Sequence, residues 1–359
     1  MRKRIFMIGY STDKGGVESY IKNLLAHLPA EEYEVILHWP KMTIDGKQWV
    51  VPTSRHNPIR YVSFWKRFYR ENKFDAVYFN TCDIVSIDPL IFAKQTGVPV
   101  RIIHSHNAGN QLTLGNRMGW LHRYMENWNK HHIRNYATEL LACSEAAGQW
   151  MFANQRYTVI KNGIQLDRYH FRKEFRESCR KAVGMTDEFL IGCVGRLDPQ
   201  KNPFYMIGVA EELNRRNVNF KIVMIGDGEL RAEMQQKIQE HGLQERILLI
   251  GAVDNVFEWM SALDCLAMPS HFEGLPFVLV EAQAAGLPCV VSSNVSEEAA
   301  LTGLVRYVDL EAGAARWAEE ILDAGSQKER PKTAAQLIAA GYSIENTAQK
   351  VSEIMQSGF

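Results

Sequence analysis

The chain has 359 residues, 46% of them hydrophobic, and 41 Lys+Arg balanced by 41 Asp+Glu. That length accommodates two α/β domains of ordinary size, and the composition excludes a disordered or fibrous protein. No apolar run approaches the length of a bilayer span, and the basic start MRKRIFMIGY reads as a first strand rather than a signal peptide.

Six cysteines (Cys82, Cys143, Cys179, Cys193, Cys265 and Cys289) show no paired spacing and read as reduced, buried thiols of a cytoplasmic protein. No metal-ligand spacing occurs, and neither a metal nor another cofactor is expected. No nucleic-acid partner is expected either. The neutral total hides a split: residues 1–165 hold 21 Lys+Arg and 13 Asp+Glu, against 20 and 28 in the rest. A basic half and an acidic half suggest different partners for different surfaces.

Residues 3–9 predict a strand, followed by a loop, Gly15-Gly16, and a helix carrying Val17, Tyr20, Ile21, Leu24, Leu25 and Leu28 at helical spacing. A strand, a glycine turn and a helix start form an anion site, since free N–H groups and the helix dipole face the ligand. The third glycine of a dinucleotide fingerprint is missing, which argues against a Rossmann dehydrogenase. Further strands are predicted at Glu34–His38, Ala76–Phe79, Val100–His104, Glu139–Cys143 and Tyr157–Ile160, alternating with helical or loop segments. This alternation predicts a parallel sheet covered on both faces, with ligands at the carboxyl ends of its strands. His104, Ser105, His106 and Asn107 occupy such an end.

Between Gln111 and Thr138, Trp120, His122, Arg123, Trp128, Lys130, His131, His132 and Arg134 mix aromatic and basic side chains. A helix so composed can lie on an anionic membrane surface; a domain helix with a core-facing Trp stripe is the alternative, and composition does not separate them. Asn162-Gly163 gives turn chemistry for leaving the first domain, and the charged Arg172–Lys181 reads as a linker helix.

A second domain begins near Glu188. Phe189–Pro203 (FLIGCVGRLDPQKNP) is a buried strand followed by Gly195, Arg196 and Lys201; Phe220–Leu230 ends its strand in Gly226-Asp227-Gly228; Arg246–Val256 is a further strand with Val253 in its exit loop. Met268–Val290 (MPSHFEGLPFVLVEAQAAGLPCV) follows the short apolar run Leu263–Met268. There Pro276 suits the first helical position, and Gly286 with Pro288 stops the helix. Glu273 precedes that helix and Glu281 lies within it, seven residues intervening. Glu281 sits among Phe277, Leu279, Val280, Ala282, Ala284 and Ala285, so it needs a partner in an apolar setting. An anionic ligand beside two Glu also needs cations, which Arg196 and Lys201 supply. Helices are predicted over Ala314–Leu322, Thr333–Ala340 and from Ser343 through Ile354.

The Glu, seven residues, Glu stretch resembles the signature of family 4 retaining glycosyltransferases, in their bacterial capsule, exopolysaccharide and lipopolysaccharide branch. The Gly15-Gly16 turn, His106, VIKNGIQLDRYHF, the Arg196–Lys201 loop and Gly226-Asp227-Gly228 match that family's motifs in order. The resemblance implies the GT-B fold: two Rossmann-like α/β domains facing a cleft, here 1–170 for the acceptor and 186–342 for the donor, with 343–359 crossing back to the first domain. It implies transfer of a hexose-type sugar from a nucleotide diphosphate donor, UDP first among candidates, to a glycan or polyprenyl-linked acceptor, with retention. By the same resemblance His106, Arg196, Lys201 and Glu273 are catalytic. Gly15, Gly16, Val253, Gly274, Leu275, Phe277, Val278 and Glu281 join Arg196, Lys201 and Glu273 around the donor. Expected localisation is cytoplasmic, peripheral on the inner face of the membrane. Two other readings are a sugar-nucleotide epimerase of this architecture, against which the Glu pair with the Arg196–Lys201 loop speaks, and a non-catalytic nucleotide-sugar or membrane scaffold protein, against which the presence of Glu281, Arg196 and Lys201 speaks.

Overall fold

The computed structural model describes residues 2–10, 16–52, 57–107, 119–185, 187–327 and 329–358. These form two α/β units, one of residues 1–164 with 344–359, the other of residues 165–343.

The first unit runs β1 (Lys3–Ile8), α1 (Gly16–His27), β2 (Tyr33–Leu37), β3 (Lys41–Ile44), β4 (Lys47–Val50), α2 (Pro58–Asn72), β5 (Ala76–Thr81), α3 (Asp88–Gln95), β6 (Val100–Ser105), α4 (Gly119–His132), β7 (Glu139–Ala142), α5 (Glu145–Phe152) and β8 (Thr158–Val159). Its sheet has the order β2-β1-β5-β6-β7-β8 and is parallel throughout. The strands are apolar on both faces, as helices on both sides require; Phe6 and the fully buried Phe68 pack at 5.0 Å, and Phe74 stacks on Phe6 at 5.1 Å. The β3–β4 hairpin, not anticipated from the sequence, turns at Asp45 (φ 48) and Gly46 (φ 76). Two consecutive left-handed residues are what a tight two-residue hairpin needs, and the turn buries Trp49.

The second unit runs α6 (Lys173–Ala182), β9 (Phe189–Val194), α7 (Tyr205–Arg215), β10 (Phe220–Ile225), α8 (Arg231–Glu240), β11 (Ile247–Gly251), α9 (Val256–Ala262), β12 (Cys265–Met268), α10 (Phe277–Ala284), β13 (Cys289–Ser292), β14 (Val305–Val308), α11 (Gly313–Gly325) and α12 (Ala334–Ala339). Its parallel sheet has the order β11-β10-β9-β12-β13-β14. The chain then returns to the first unit as α13 (Ile344–Ser357), where the Tyr33 hydroxyl meets Ser352 Oγ at 2.7 Å and Thr347 Oγ1 donates to the Lys161 carbonyl at 2.9 Å.

Residues 165–170, expected in the first domain, belong to the second unit, and Arg172–Lys181 is not a free linker. Arg176 and Arg180 both pair with Asp264, at 2.6 and 3.2 Å, and the Leu190 amide donates to the same carboxylate at 2.8 Å. One acidic side chain ahead of β12 thus fastens α6 to the sheet. Cys82 is exposed and Cys193 half-buried, where buried thiols were expected; the other four cysteines are buried, and all six are free.

Candidate functional site

In the second unit, β9 and β12 are paired neighbours, so the loops that leave them emerge side by side. Gly195, at φ +150, takes the chain out of β9, and the adjoining Gly226 has φ +143. A Cβ on Gly226 would stand 1.9 Å from the Gly195 carbonyl oxygen, and one on Gly228 2.3 Å from that of Leu197. The glycines of both loops therefore permit backbone-to-backbone crossing that no side chain allows. Leu197 N–H donates to the Asp227 carbonyl and Leu230 N–H to that of Leu197, both at 3.0 Å.

Asp198 caps the short turn that follows, accepting from the Lys201 amide at 3.0 Å, and its other oxygen meets Arg196 Nη2 at 3.1 Å. The Arg196 side chain stays 65% exposed. Lys201 turns the other way: its Nζ stands 2.5 Å from Glu273 Oε1, an ion pair whose carboxylate is only 8% exposed. Gln200 ties the two loops together, its carbonyl accepting from His271 N–H at 2.8 Å and its amide donating to the Phe272 carbonyl at 3.1 Å. Glu273 is fixed from behind by its amide to the Asn294 carbonyl (3.3 Å) and its carbonyl to Ser296 N–H (3.0 Å).

Gly274 and Leu275 lead from Glu273 into α10. Pro276, expected as the first helical residue, stands instead at the N-cap with extended backbone (φ −72, ψ 119). Proline presents no capping side chain, so the first-turn amides of Phe277 and Val278 receive no side-chain cap. The helix is held by Gln283, whose fully buried amide donates to the Leu279 and Ala299 carbonyls and accepts from the Leu301 and Thr302 amides. Glu281 has a partner: the Tyr169 hydroxyl donates to its Oε1 at 2.6 Å. Burial pushes the Glu281 carboxyl above its ordinary range, opposed by that hydrogen bond and by Arg168. Val253 lies in the loop after β11, its side chain packed on the apolar cluster of β12 and α10.

In the first unit, His106 follows β6. Its Nε2 lies 3.0 Å from Asn80 Oδ1, and Asn80 Nδ2 donates to the Ile8 carbonyl at 3.1 Å. That orientation of the amide makes Nε2 the donor and leaves Nδ1 an enclosed acceptor with no hydrogen-bond partner. His104 is fully buried and packs its ring 4.1 Å from that of His106, with Nδ1 2.9 Å from the Tyr78 hydroxyl. Burial depresses His106 to about 3, so its ring is neutral at neutral pH. Gly16 is the exposed first residue of α1; Gly15 lies outside the described residues.

The structure thus brings Lys201, Glu273 and the start of α10 together, with Arg196 turned toward Asp198. Three positioning groups went unread in the sequence: Tyr169, Gln200 and Asn80. Each meets its partner across a long stretch of chain or through a neighbouring strand, and none carries a local pattern. Among the described residues no group of three or more His, Cys, Asp or Glu is arranged to hold a metal ion.

Two parallel-sheet units, the second with a glycine-crossed cation loop beside a glutamate-bearing helix start, define a glycosyltransferase of the GT-B fold. Residues 175–353 match the family described as Glycosyl transferases group 1, and residues 14–168 match Glycosyltransferase Family 4. The chain belongs to this family of glycosyltransferases. It is 30% identical over 350 residues to the putative glycosyltransferase EpsF of Bacillus subtilis, covering 92% of this chain and 90% of that protein. A second relative is the UDP-Gal:alpha-D-GlcNAc-diphosphoundecaprenol alpha-1,3-galactosyltransferase of Escherichia coli, 28% identical over 242 residues, 65% of this chain and 61% of that one. Among solved structures, Anabaena HepE in complex with UDP superposes with a TM-score of 0.76 at 20% identity, over 99% of this chain and 100% of that one.

Proposed function

We propose that this glycosyltransferase moves a hexosyl group from a UDP-sugar to a hydroxyl of a glycan or polyprenyl-diphosphate-linked acceptor, with retention, in the building of a cell-surface polysaccharide. The observation that carries the reading is the Lys201–Glu273 pair beside the α10 start. A diphosphate there meets two side-chain cations and uncapped helix amides, and Glu273 is left to accept from sugar hydroxyls. Supporting the donor and acceptor classes are the UDP held by HepE and the diphosphoundecaprenol acceptor of the E. coli relative.

In this reading the C1–oxygen bond to the diphosphate breaks while the acceptor oxygen bonds C1 on the same face. The acceptor proton passes to the leaving phosphate oxygen, giving UDP. Arg196, Lys201 and the Phe277 and Val278 amides stabilise the charge that develops on the leaving group, which is where preorganised donors lower a barrier most. The protein's own cations then serve where other enzymes use a metal. Glu281, with Oε1 held by Tyr169, accepts from the ribose hydroxyls. In the first unit His106, neutral and hydrogen-bonded to Asn80 with Nδ1 as an acceptor, orients a ligand hydroxyl rather than protonating it. Gly274, Leu275 and Val253 complete the donor contacts of the second unit through their backbones. In this reading the reaction runs on the cytoplasmic side of the membrane.

UDP release measured with a panel of UDP-hexoses, with and without acceptor, tests this. Release that requires acceptor is expected. Donor converted without acceptor favours the epimerase, and donor bound but never consumed favours the scaffold.

A further inference from the structure

The short turn Leu166–Tyr169 opens the second unit and touches both α9 and α10. Its last residue, Tyr169, holds Glu281 of α10. The residue before it goes to α9: the Arg168 guanidinium lies over the Phe257 ring, with Cζ 4.3 Å from the ring centroid. Phe257 is braced edge-on by Phe175 at 5.6 Å. Arg168 is exposed, and among the described residues its guanidinium makes neither a hydrogen bond nor an ion pair. The neighbouring acid, Asp167, pairs with His170 instead, at 3.4 Å. Arg196 and Lys201 each meet a carboxylate, whereas Arg168 is held flat by stacking alone.

An arginine can lie on an aromatic ring merely to cover it; the place of this one argues for more. Helix α9 follows β11, so its start stands at the carboxyl edge of the sheet, where the loops of Lys201 and Glu273 also emerge. Val253 and Val256 at the entry to α9, Tyr169, and Leu275 and Val278 at the α10 start pack on one apolar cluster. Along α10 the uncapped Phe277 amide comes first, and Glu281 follows about 6 Å further down the axis. Beyond Glu281 comes Arg168, whose charge reaches that carboxyl. The proposed function puts the diphosphate at the first of these groups and the ribose at the second, which leaves the base at the third.

We propose that the open face of the Arg168 guanidinium, backed by Phe257, is the platform on which the nucleobase of the donor stacks. The inference rests on the proposed function, which supplies the order of diphosphate and ribose. A guanidinium plane stacks on a base much as an aromatic ring does. Because Phe257 already fixes the plane, little side-chain freedom is lost when the base arrives.

The test measures the affinities of full-length wild type, Arg168→Ala and Arg168→Lys for UDP and for uridine. Arg168→Ala is expected to weaken both ligands by about tenfold or more, the scale of one lost base stack. Arg168→Lys, which keeps the charge without the plane, is expected to lose nearly as much. The side chain is exposed, so both variants are expected to melt, without ligand, close to wild type. Weakened UDP with unchanged uridine overturns the proposal, because the guanidinium then serves a phosphate. Wild-type affinity in Arg168→Lys overturns it too, since charge acting on Glu281 would then suffice. UDP bound equally by wild type and Arg168→Ala overturns the platform and leaves the proposed function standing. A wild type that binds neither ligand overturns both.

Discussion

Lys201 Nζ lies 2.5 Å from Glu273 Oε1, and the two residues leave the carboxyl ends of neighbouring strands, β9 and β12. The pair holds a cation and an enclosed carboxylate beside the α10 start. In the proposed function a diphosphate arriving there competes with Glu273 for the same ammonium, so binding the donor repartitions an existing contact and does not require a new charge to be buried unaided.

Removing the cation therefore has two effects. Lys201→Ala leaves the enclosed Glu273 carboxylate unpaired, which is expected to cost about 1–3 kcal/mol in urea unfolding, and to lower kcat by about 10²–10³-fold. Lys201→Met with Glu273→Gln is expected to restore the unfolding midpoint without restoring turnover. Wild-type kcat in Lys201→Ala would remove Lys201 from the chemistry.

Tyr169 sets the state of Glu281. Burial raises that carboxyl and the Tyr169 hydrogen bond lowers it. In Tyr169→Phe the opposing contribution is gone, so Glu281 takes up its proton at higher pH and accepts poorly from ribose hydroxyls. UDP affinity, measured calorimetrically from pH 7.5 to pH 5.5, is expected to fall with acidification more steeply in Tyr169→Phe than in wild type. Parallel slopes would disconnect Glu281 from the nucleoside.

The glycine crossing tolerates no side chain. Gly226→Ala places a methyl 1.9 Å from the Gly195 carbonyl oxygen at a left-handed φ. A loss of about 2 kcal/mol or more is expected from strain and displacement, together with weakened UDP binding, because the displaced Gly195 loop carries Arg196. Gly242→Ala is the control: its φ is +65, but nothing lies within 4 Å of the added atom, so only a milder loss of stability is expected.

Acid is expected to destabilise the first unit through its histidines. His106 is held down to about 3 by burial, and His104 and His38 are shifted the same way. Unfolded imidazoles titrate near about 6.5, so below that pH the unfolded chain binds protons that the folded chain refuses. Stability contributed by the neutral rings is complete above about pH 6.5 and declines toward pH 3. Melting temperatures between pH 7 and pH 4.5 are expected to fall less in His104→Gln/His106→Gln than in wild type, with a residual slope from His38. The same depression means that turnover shows no His106 ionisation near pH 6.5.

The parallel strands and glycine loops were legible because each is a local pattern: an apolar run, a glycine, a helix start. Glu273 and Glu281 were legible by spacing, and so was the need of Glu281 for a partner. Tyr169, one such partner, lies 112 residues earlier in the chain, a distance no periodic pattern spans. The β3–β4 hairpin was not anticipated although Asp45-Gly46 is a two-residue hairpin turn signal, because its four-residue strands lie outside the parallel sheet and carry no long apolar run. For α4, spacing identified a stripe but not the side it faces: Trp120, Tyr124 and Trp128 repeat equally well on a core face, and only Asn129 and Glu126, bonded inward, decide it.

The central claim is that the second unit holds a uridine diphosphate through Arg196, Lys201 and Glu281. The most direct measurement is the thermal shift of wild type, Arg196→Ala and Glu281→Ala with UDP at a range of concentrations. A ligand bound only by the folded chain raises its melting temperature by mass action, by about 2.7 kcal/mol of stability at a hundred times Kd. The expected result is stabilisation of wild type by UDP that both variants lose. An unchanged wild-type melting temperature at millimolar UDP, or equal stabilisation of all three proteins, would contradict the account.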